Sequence, residues 1–245
     1  MPALFGKWEI PILYEDNHLL IAVKPPNLPT QADISGDADM LTLLKAYIGE
    51  KYHKPGNVYL GLVHRLDRPV GGVMVFARTS KAASRLSKTF AEHAQERVYL
   101  TVLEGTLSEP RRLEDTLRKD ASGMVRVVSS DTIGAKRALL ETRPVARQAE
   151  FTLAEVRLHT GRSHQIRVQH AHAGLPLWGD NRYGHGRPGQ QIALWAAYLS
   201  VQHPTREETL RFFVPPPNTG IWQRFSAELQ TYGEAFHAPS QSSAH

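Results

Sequence analysis

Apolar residues in this chain come in short runs, and each run is closed by proline, glycine or a charged turn. The longest, Ile192 to Leu199, stays far below the ~18 apolar residues that a membrane-crossing helix needs. Ile10 to Tyr14 and Leu19 to Val23 flank Glu15-Asp16-Asn17 and read as two strands about a polar turn. Lys24-Pro25-Pro26-Asn27 leaves the second strand as a stiff loop, because each proline fixes its own φ and restrains the residue before it. Leu60 to Val63 and Val73 to Ala77 read as buried strands around the polar loop His64 to Gly72. Val98 to Leu103 alternates, with Tyr99, Thr101 and Leu103 on one face. Ala154, Val156 and Leu158 alternate with Glu155 and Arg157, which predicts a half-buried strand.

Helical spacing marks three segments. Leu43, Leu44 and Tyr47 suggest a helix over 40–47, and Thr79 or Ser80 can cap one whose apolar face is Ala82, Ala83, Leu86 and Phe90. Thr160 to Ser163 would supply the capping end of a third, with Ile166, Val168 and Ala171 as apolar positions and Gly174 and Pro176 as the stop. These elements interleave without the regular cadence of a doubly wound fold, so the expectation is an α+β domain built on a mixed sheet.

Composition sets the outer bounds. A chain of 245 residues with 41% hydrophobic and 22% charged residues is ordinary for one large globular domain. The absence of cysteine excludes disulfides, thiolate nucleophiles and cysteine-ligated metals. No basic segment followed by an apolar stretch opens the chain, so a soluble, cytoplasmic protein without a membrane partner is expected. The formal net charge of +5 is unevenly spread: 111–147 holds nine Lys/Arg against five Asp/Glu, and the remainder nearly balances. That segment is a candidate surface for a polyanion, or a merely solvated face. Ala238 to His245 has the composition of a disordered tail.

Four stretches could carry chemistry: Lys24 to Asn27, His64-Arg65-Leu66-Asp67, Arg97 to Gly105, and Thr160 to Val168. Flanking arginines can keep Asp67 ionised on its loop, which suits a nucleophile. Read alone, the same residues describe a structural ion pair or a turn cap. A lone Tyr99 in a strand is a core residue first, and Arg162 and Arg167 stand near a helix start, where a cation needs some other partner. Three of the twelve histidines, His164, His170 and His172, cluster, but there is no HExxH and the last two point to different sides of a helix, so no metal is expected. A phosphate-binding GKS/T loop and a GxSxG elbow are both missing.

Taken together, ILYEDNHLLIAVKPPN, GLVHRLDRPVGGVMVFARTSKAA, RVYLTVLEG, LHTGRSHQIRVQHAHAGLPLWGDNRYG and the late HPT, in that order from about Ile10 to Pro217, resemble the RluA-type family of RNA pseudouridine synthases. The resemblance implies that family's catalytic fold, a central mixed and largely antiparallel sheet flanked by helices and loops. It implies isomerisation of a specific uridine in rRNA or tRNA to its C-glycoside, with no metal, no redox cofactor and no nucleotide energy source. Asp67 then corresponds to the catalytic aspartate, Tyr99 to the active-site tyrosine and Arg167 to the arginine paired with the aspartate. Arg65, Arg68, Arg162, His164, Gln165 and Lys24, in or beside the same motifs, are the expected RNA contacts. The partner is a structured RNA with a flipped-out uridine, and a monomer is expected. A catalytic domain over 8–222 without the S4-type module of many relatives, followed by a 223–245 extension disordered from about 238, completes the expectation.

Departures from the family pattern bear on substrate choice. Val70-Gly71-Gly72 stands where Thr-Ser-Gly is usual, Arg97 replaces a common lysine, Trp195 a usual histidine, and Gln169-His170 a histidine and apolar pair. Two other classes remain: a non-catalytic RNA-binding or ribosome-assembly factor on the same fold, and a nucleoside or sugar hydrolase using carboxylates. The latter normally needs two acids flanking the bond, and this loop offers one.

Overall fold

The computed structural model describes residues 3–237. In chain order the elements are β1 (Ala3–Phe5), β2 (Trp8–Ile10), β3 (Ile12–Glu15), β4 (Leu19–Lys24), α1 (Met40–Lys51), β5 (Gly61–Leu62), β6 (Gly71–Ala77), α2 (Ser80–Ala91) and β7 (Arg97–Glu104). Then follow β8 (Arg111–Lys119), β9 (Val125–Val127), β10 (Lys136–Gln148), β11 (Phe151–Leu158), α3 (Gln165–His172), β12 (Leu194–Gln202), β13 (Thr209–Phe213), a 3-10 segment Gly220–Phe225 and α4 (Ser226–His237). Strands β1 and β2 form a separate ribbon. The large sheet runs β3-β4-β6-β12-β7-β11-β10-β8-β9, with β13 paired to β12 and β5 to β6. Its pairs are antiparallel except β6 with β12, so the expected mixed, largely antiparallel sheet is what forms.

Strand alternation sends side chains to two cores. On one face α1 contributes Met40, Leu44 and Ile48 against Leu20, Ala22, Met74 and Phe76, and Tyr99 and Leu103 of β7 lie in the same core. On the other, Leu100 and Val102 of β7 pack with Trp195, Trp222, Phe225 and Leu229. Helix α2 covers that second side further along, through Ala82, Leu86 and Phe90. Its cap is Thr79, whose side chain accepts from the Ala82 amide.

Several local expectations change. Glu155 does not face solvent: α4 lies over β11, and the carboxylate, 1% exposed, accepts from the Tyr232 hydroxyl at 2.6 Å and from Arg157 Nε at 2.7 Å, with Arg143 as a third partner. A period of two identifies the strand's faces but not which of them another element will cover. Residues 223–237, expected as an extension, contribute Phe225 and Leu229 to the core, while the tail from 238 lies outside the described residues. At α3 the residue before the helix is His164, at φ 53° with no side-chain cap. Gln165 instead ties down the loop before the helix, its Oε1 accepting from the Arg162 amide at 2.9 Å and the Thr160 hydroxyl at 2.8 Å.

Candidate active site

The loop between β5 and β6 is held by its backbone carbonyls. The Leu66 carbonyl accepts from the Thr30 hydroxyl at 2.9 Å, that of Arg68 from the Asn27 amide at 2.8 Å, and that of Pro69 from Gln191 Nε2 at 2.6 Å. On one edge, β6 pairs with β12 at Gly71 and Gly72 and with β5 at Phe76 and Ala77, leaving Val73 to Val75 between them. His64 fills that gap: its Nε2 accepts the Val75 amide at 3.1 Å and its ring stacks on Phe90 at 4.7 Å. Burial, with the Arg97 charge, pulls the His64 pKa down to about 3, so the ring is neutral and serves as an acceptor.

Lys24 belongs to the same scaffold and is not an RNA contact. It is 0% exposed, and its Nζ donates to the carbonyls of Pro25, Leu28 and Arg68 at 3.0, 2.6 and 3.0 Å. Burial lowers its pKa to about 7 against the opposing charge of Asp67. The sequence expectation failed because a lysine between a strand and two prolines reads as a surface cation, whereas the loop folds back over it. Gln165 is likewise unavailable to RNA, being buried and engaged with Thr160, Arg162 and the Leu139 carbonyl.

On this fixed loop, Asp67 turns its carboxylate toward α3. Its Oδ2 lies 3.2 Å from Arg167 Nη1 and 3.7 Å from His164 Nε2, and the side chain keeps 26% exposure. Arg167 reaches this position because a second acid holds it: its Nε and Nη2 donate to Asp180 Oδ2 and Oδ1 at 2.8 and 2.7 Å. Burial alone would raise the Asp180 pKa, but the Arg167 hydrogen bonds and charge, with the Arg182 and Tyr183 amides, bring it below the ordinary carboxylate value. The Tyr183 ring lies under the guanidinium, 5.2 Å from Arg167 Cζ.

Asp67, Tyr99, His164, Ile166, Arg167 and Leu194 line one small cavity of about 70 Å³. Tyr99 is 9% exposed, and its pKa is raised chiefly by burial, with Arg97 opposing and Asp67 adding to the shift. The resting side chain is therefore a phenol, a flat wall and proton donor rather than a standing base. Beyond Asp67 the cavity opens into a groove lined by Arg65, His93, Arg97 and Arg162, and past Arg162 into a further one with Lys119 and Lys136.

The expected cations are thus dispersed. Arg65 is exposed at the cavity wall, while Arg162 is partly buried, its Nε donating to the Arg137 carbonyl at 2.9 Å. Arg68 turns away to pair with Asp37. Within 111–147, Arg112 and Arg137 share Glu114, Arg126 lies 3.5 Å from Asp120, and Arg143 pairs with Glu155. Four of the nine basic residues of that segment are therefore neutralised locally, and Lys119 and Lys136 are the members that face the groove. His170 is buried, with its Nδ1 2.8 Å from the Ile166 carbonyl, whereas His172 is exposed. Among the described residues no group of three or more His, Cys, Asp or Glu could hold a metal ion.

Asp180 and Tyr183 escaped the sequence reading. Their signal was the polar, glycine-punctuated Trp178 to Gly184 stretch, which lies within a family-like motif but by itself gives neither residue a role. The departures at Gly71 and Trp195 prove to be one fit. A Cβ on Gly71 would fall 2.3 Å from Trp195 Cζ3, so the indole occupies the volume that glycine vacates. The indole Nε1 donates to the Val214 carbonyl at 2.9 Å, on the face opposite Tyr99.

Known proteins resemble this chain in sequence and in fold. Residues 18–172 match a family model described as RNA pseudouridylate synthase. The chain is 31% identical over 240 residues to ribosomal large subunit pseudouridine synthase D of Pseudomonas aeruginosa, covering 89% of this chain and 73% of the relative. It is 33% identical over 214 residues to an uncharacterized RNA pseudouridine synthase of Bacillus subtilis, covering 85% and 69%. Among solved structures, human RNA pseudouridylate synthase domain containing 1 superposes with a TM-score of 0.71 at 21% identity, covering 94% of this chain and 95% of that one.

Proposed function

The chain belongs to the RluA-type family of RNA pseudouridine synthases, and from that premise we propose that it isomerises a uridine of large-subunit ribosomal RNA, with Asp67 as the group that detaches the base. The choice of RNA follows the printed names of relatives such as the Pseudomonas aeruginosa protein. The observation that carries the catalytic role is the single cavity in which Asp67, Arg167 and Tyr99 meet, on a loop whose backbone is bonded on several sides.

In the reaction the N1 to C1′ bond breaks, the uracil turns while held, and C5 joins C1′. N1 gains a proton and C5 loses one, so the sum is an isomerisation that consumes no co-reactant. Whether the carboxylate adds at C1′ or removes a sugar proton, it must stand beside the ribose, and Arg167 holds it there through Oδ2. Tyr99 offers its ring to the flat base, and the apolar side chains of Leu194 and Ile166 help exclude the water that would turn the enzyme into a hydrolase. A uridine must leave its stack to enter, so loops and bulges are the accessible targets. Arg65, Arg97, Arg162, Lys119 and Lys136 mark the path of the flanking strand.

Asp67→Asn incubated with unmodified large-subunit rRNA tests the assignment, with pseudouridine read by carbodiimide labelling. Wild type is expected to mark a uridine that the variant leaves unmarked. Equal marking by both removes Asp67 from the chemistry, and an RNA that binds but is never marked by wild type favours the non-catalytic assembly factor.

A further inference from the structure

Asp67 receives both of its side-chain contacts on the same oxygen. Arg167 Nη1 and His164 Nε2 lie 3.2 and 3.7 Å from Oδ2. The proton on the imidazole can be placed by following the hydrogen bonds outward. The Val125 amide donates to the Tyr183 hydroxyl at 3.0 Å, and that hydroxyl lies 2.7 Å from His164 Nδ1. An oxygen already accepting from an amide is free to donate on its other side. Donation to Nδ1 gives the hydroxyl hydrogen a partner and leaves the proton of the neutral ring on Nε2. Burial lowers the His164 pKa and the charges of Arg167, Arg182 and Lys119 act in the same direction, against Asp67, so the ring is neutral near pH 7.

The backbone supports the same arrangement. His164 sits at φ 53°, a left-handed conformation uncommon for a residue with a side chain, and makes no capping hydrogen bond that would explain it. The conformation persists because the Tyr183 hydroxyl and the cavity fix the ring.

We propose that His164 is a positioning residue: with its proton held on Nε2 by Tyr183, it joins Arg167 in holding Oδ2 of Asp67, so that Oδ1 is the oxygen presented to the ribose. The 3.7 Å separation is longer than a hydrogen bond and closes when substrate tightens the site. This role rests on the isomerase reading above and adds to it which carboxylate oxygen reacts and what aims it.

The test uses an unmodified large-subunit rRNA transcript carrying tritium at uracil C5, which isomerisation releases to water. His164→Phe keeps a flat ring without an N–H, and its kcat is expected to fall about ten- to a hundredfold, the loss of one hydrogen bond to a charged group. KM is expected to stay within about twofold of wild type. His164→Gln places an amide N–H near the position of Nε2 and recovers most of the loss, which a merely structural role would not allow. Independently of turnover, 15N NMR of the substrate-free protein should find the Nε2–H tautomer in wild type and a mixture in Tyr183→Phe. An Nδ1–H tautomer in wild type, or an unchanged kcat in His164→Phe, overturns the proposal. Wild-type protein that releases no tritium yet carries the Nε2–H tautomer overturns the isomerase reading instead and leaves the hydrogen-bond relay intact.

Discussion

Two carboxylates of this protein each meet arginine, and they are opposites in what they leave free. Glu155 is 1% exposed and accepts from Arg143, Arg157 and Tyr232 across both oxygens. Asp67 is 26% exposed, is touched on Oδ2, and faces a cavity. A fully satisfied carboxylate ties elements together; here it pins α4 to β11. One with an oxygen to spare, beside a guanidinium that a second acid immobilises, can react. Sequence patterning gives both the same description, an acid with basic neighbours, and the decision lies in how many hydrogen bonds each receives.

The contrast can be broken by exchanging the two losses. Asp67→Asn is expected to abolish pseudouridine formation while moving the melting temperature little. Glu155→Gln should do the reverse, because removing one partner from a buried charge cluster costs about 3 kcal/mol. That is the low end of the range, since both guanidinium groups are about half exposed. For a domain of this size it corresponds to roughly 6–12 °C in a thermal melt, with activity per folded molecule kept. An inactive but fully stable Glu155→Gln would dissolve the distinction.

A second contrast, among the described residues, separates cations that carry an ion pair from cations that line the groove. Replacing Lys119 and Lys136 with Gln should flatten the salt dependence of binding to single-stranded RNA by about 0.7 for each phosphate that is no longer neutralised. The same change at Arg112 and Arg137, which already share Glu114, should leave the slope nearly unchanged. Equal slopes in both pairs of variants would place the RNA elsewhere.

Smaller effects belong to the covered face. Gly71→Ser forces a side chain toward Trp195 and is expected to cost about 1–3 kcal/mol as overpacking. Combined with Trp195→His, the cost should fall below the sum of the single changes, which urea denaturation of the four proteins would measure. Additive costs would deny that the two departures form one fit. Smallest is an acid effect at Asp16, whose pKa burial would raise but the His18 and Leu19 amides, His203 and Tyr14 hold down to about 2. A depressed carboxylate stabilises the fold fully above its unfolded pKa of about 3.9, and loses that contribution as pH falls toward its folded value. Thermal melts from pH 5 to pH 2 should decline less steeply in Asp16→Asn than in wild type; parallel curves would assign the decline to other groups.

Much of the architecture was legible along the chain, because alternation and helical spacing depend on near neighbours. The strands around residues 98 and 154, the helix capped by Thr79 and the loop carrying Asp67 all form where those periods put them. Family motifs pointed to Asp67, Tyr99 and Arg167, and the fold brings these to one cavity. Lys24 and Gln165 misled because a polar side chain at the end of a strand or the start of a helix looks the same whether it meets solvent or buried hydrogen-bond partners. Asp180 and Tyr183 stayed silent because their roles exist only relative to Arg167 and His164.

The sequence alone thus determined the fold class, the loop that carries Asp67 and the residue types of the candidate site. Tertiary structure decided which acid faces a cavity and which one locks two elements, since Arg167 meets Asp67 across 100 residues and Tyr232 meets Glu155 across 77. Periodicity records which face a side chain takes. What covers that face, and how many hydrogen bonds it then receives, is set by segments far along the chain whose approach no local pattern encodes.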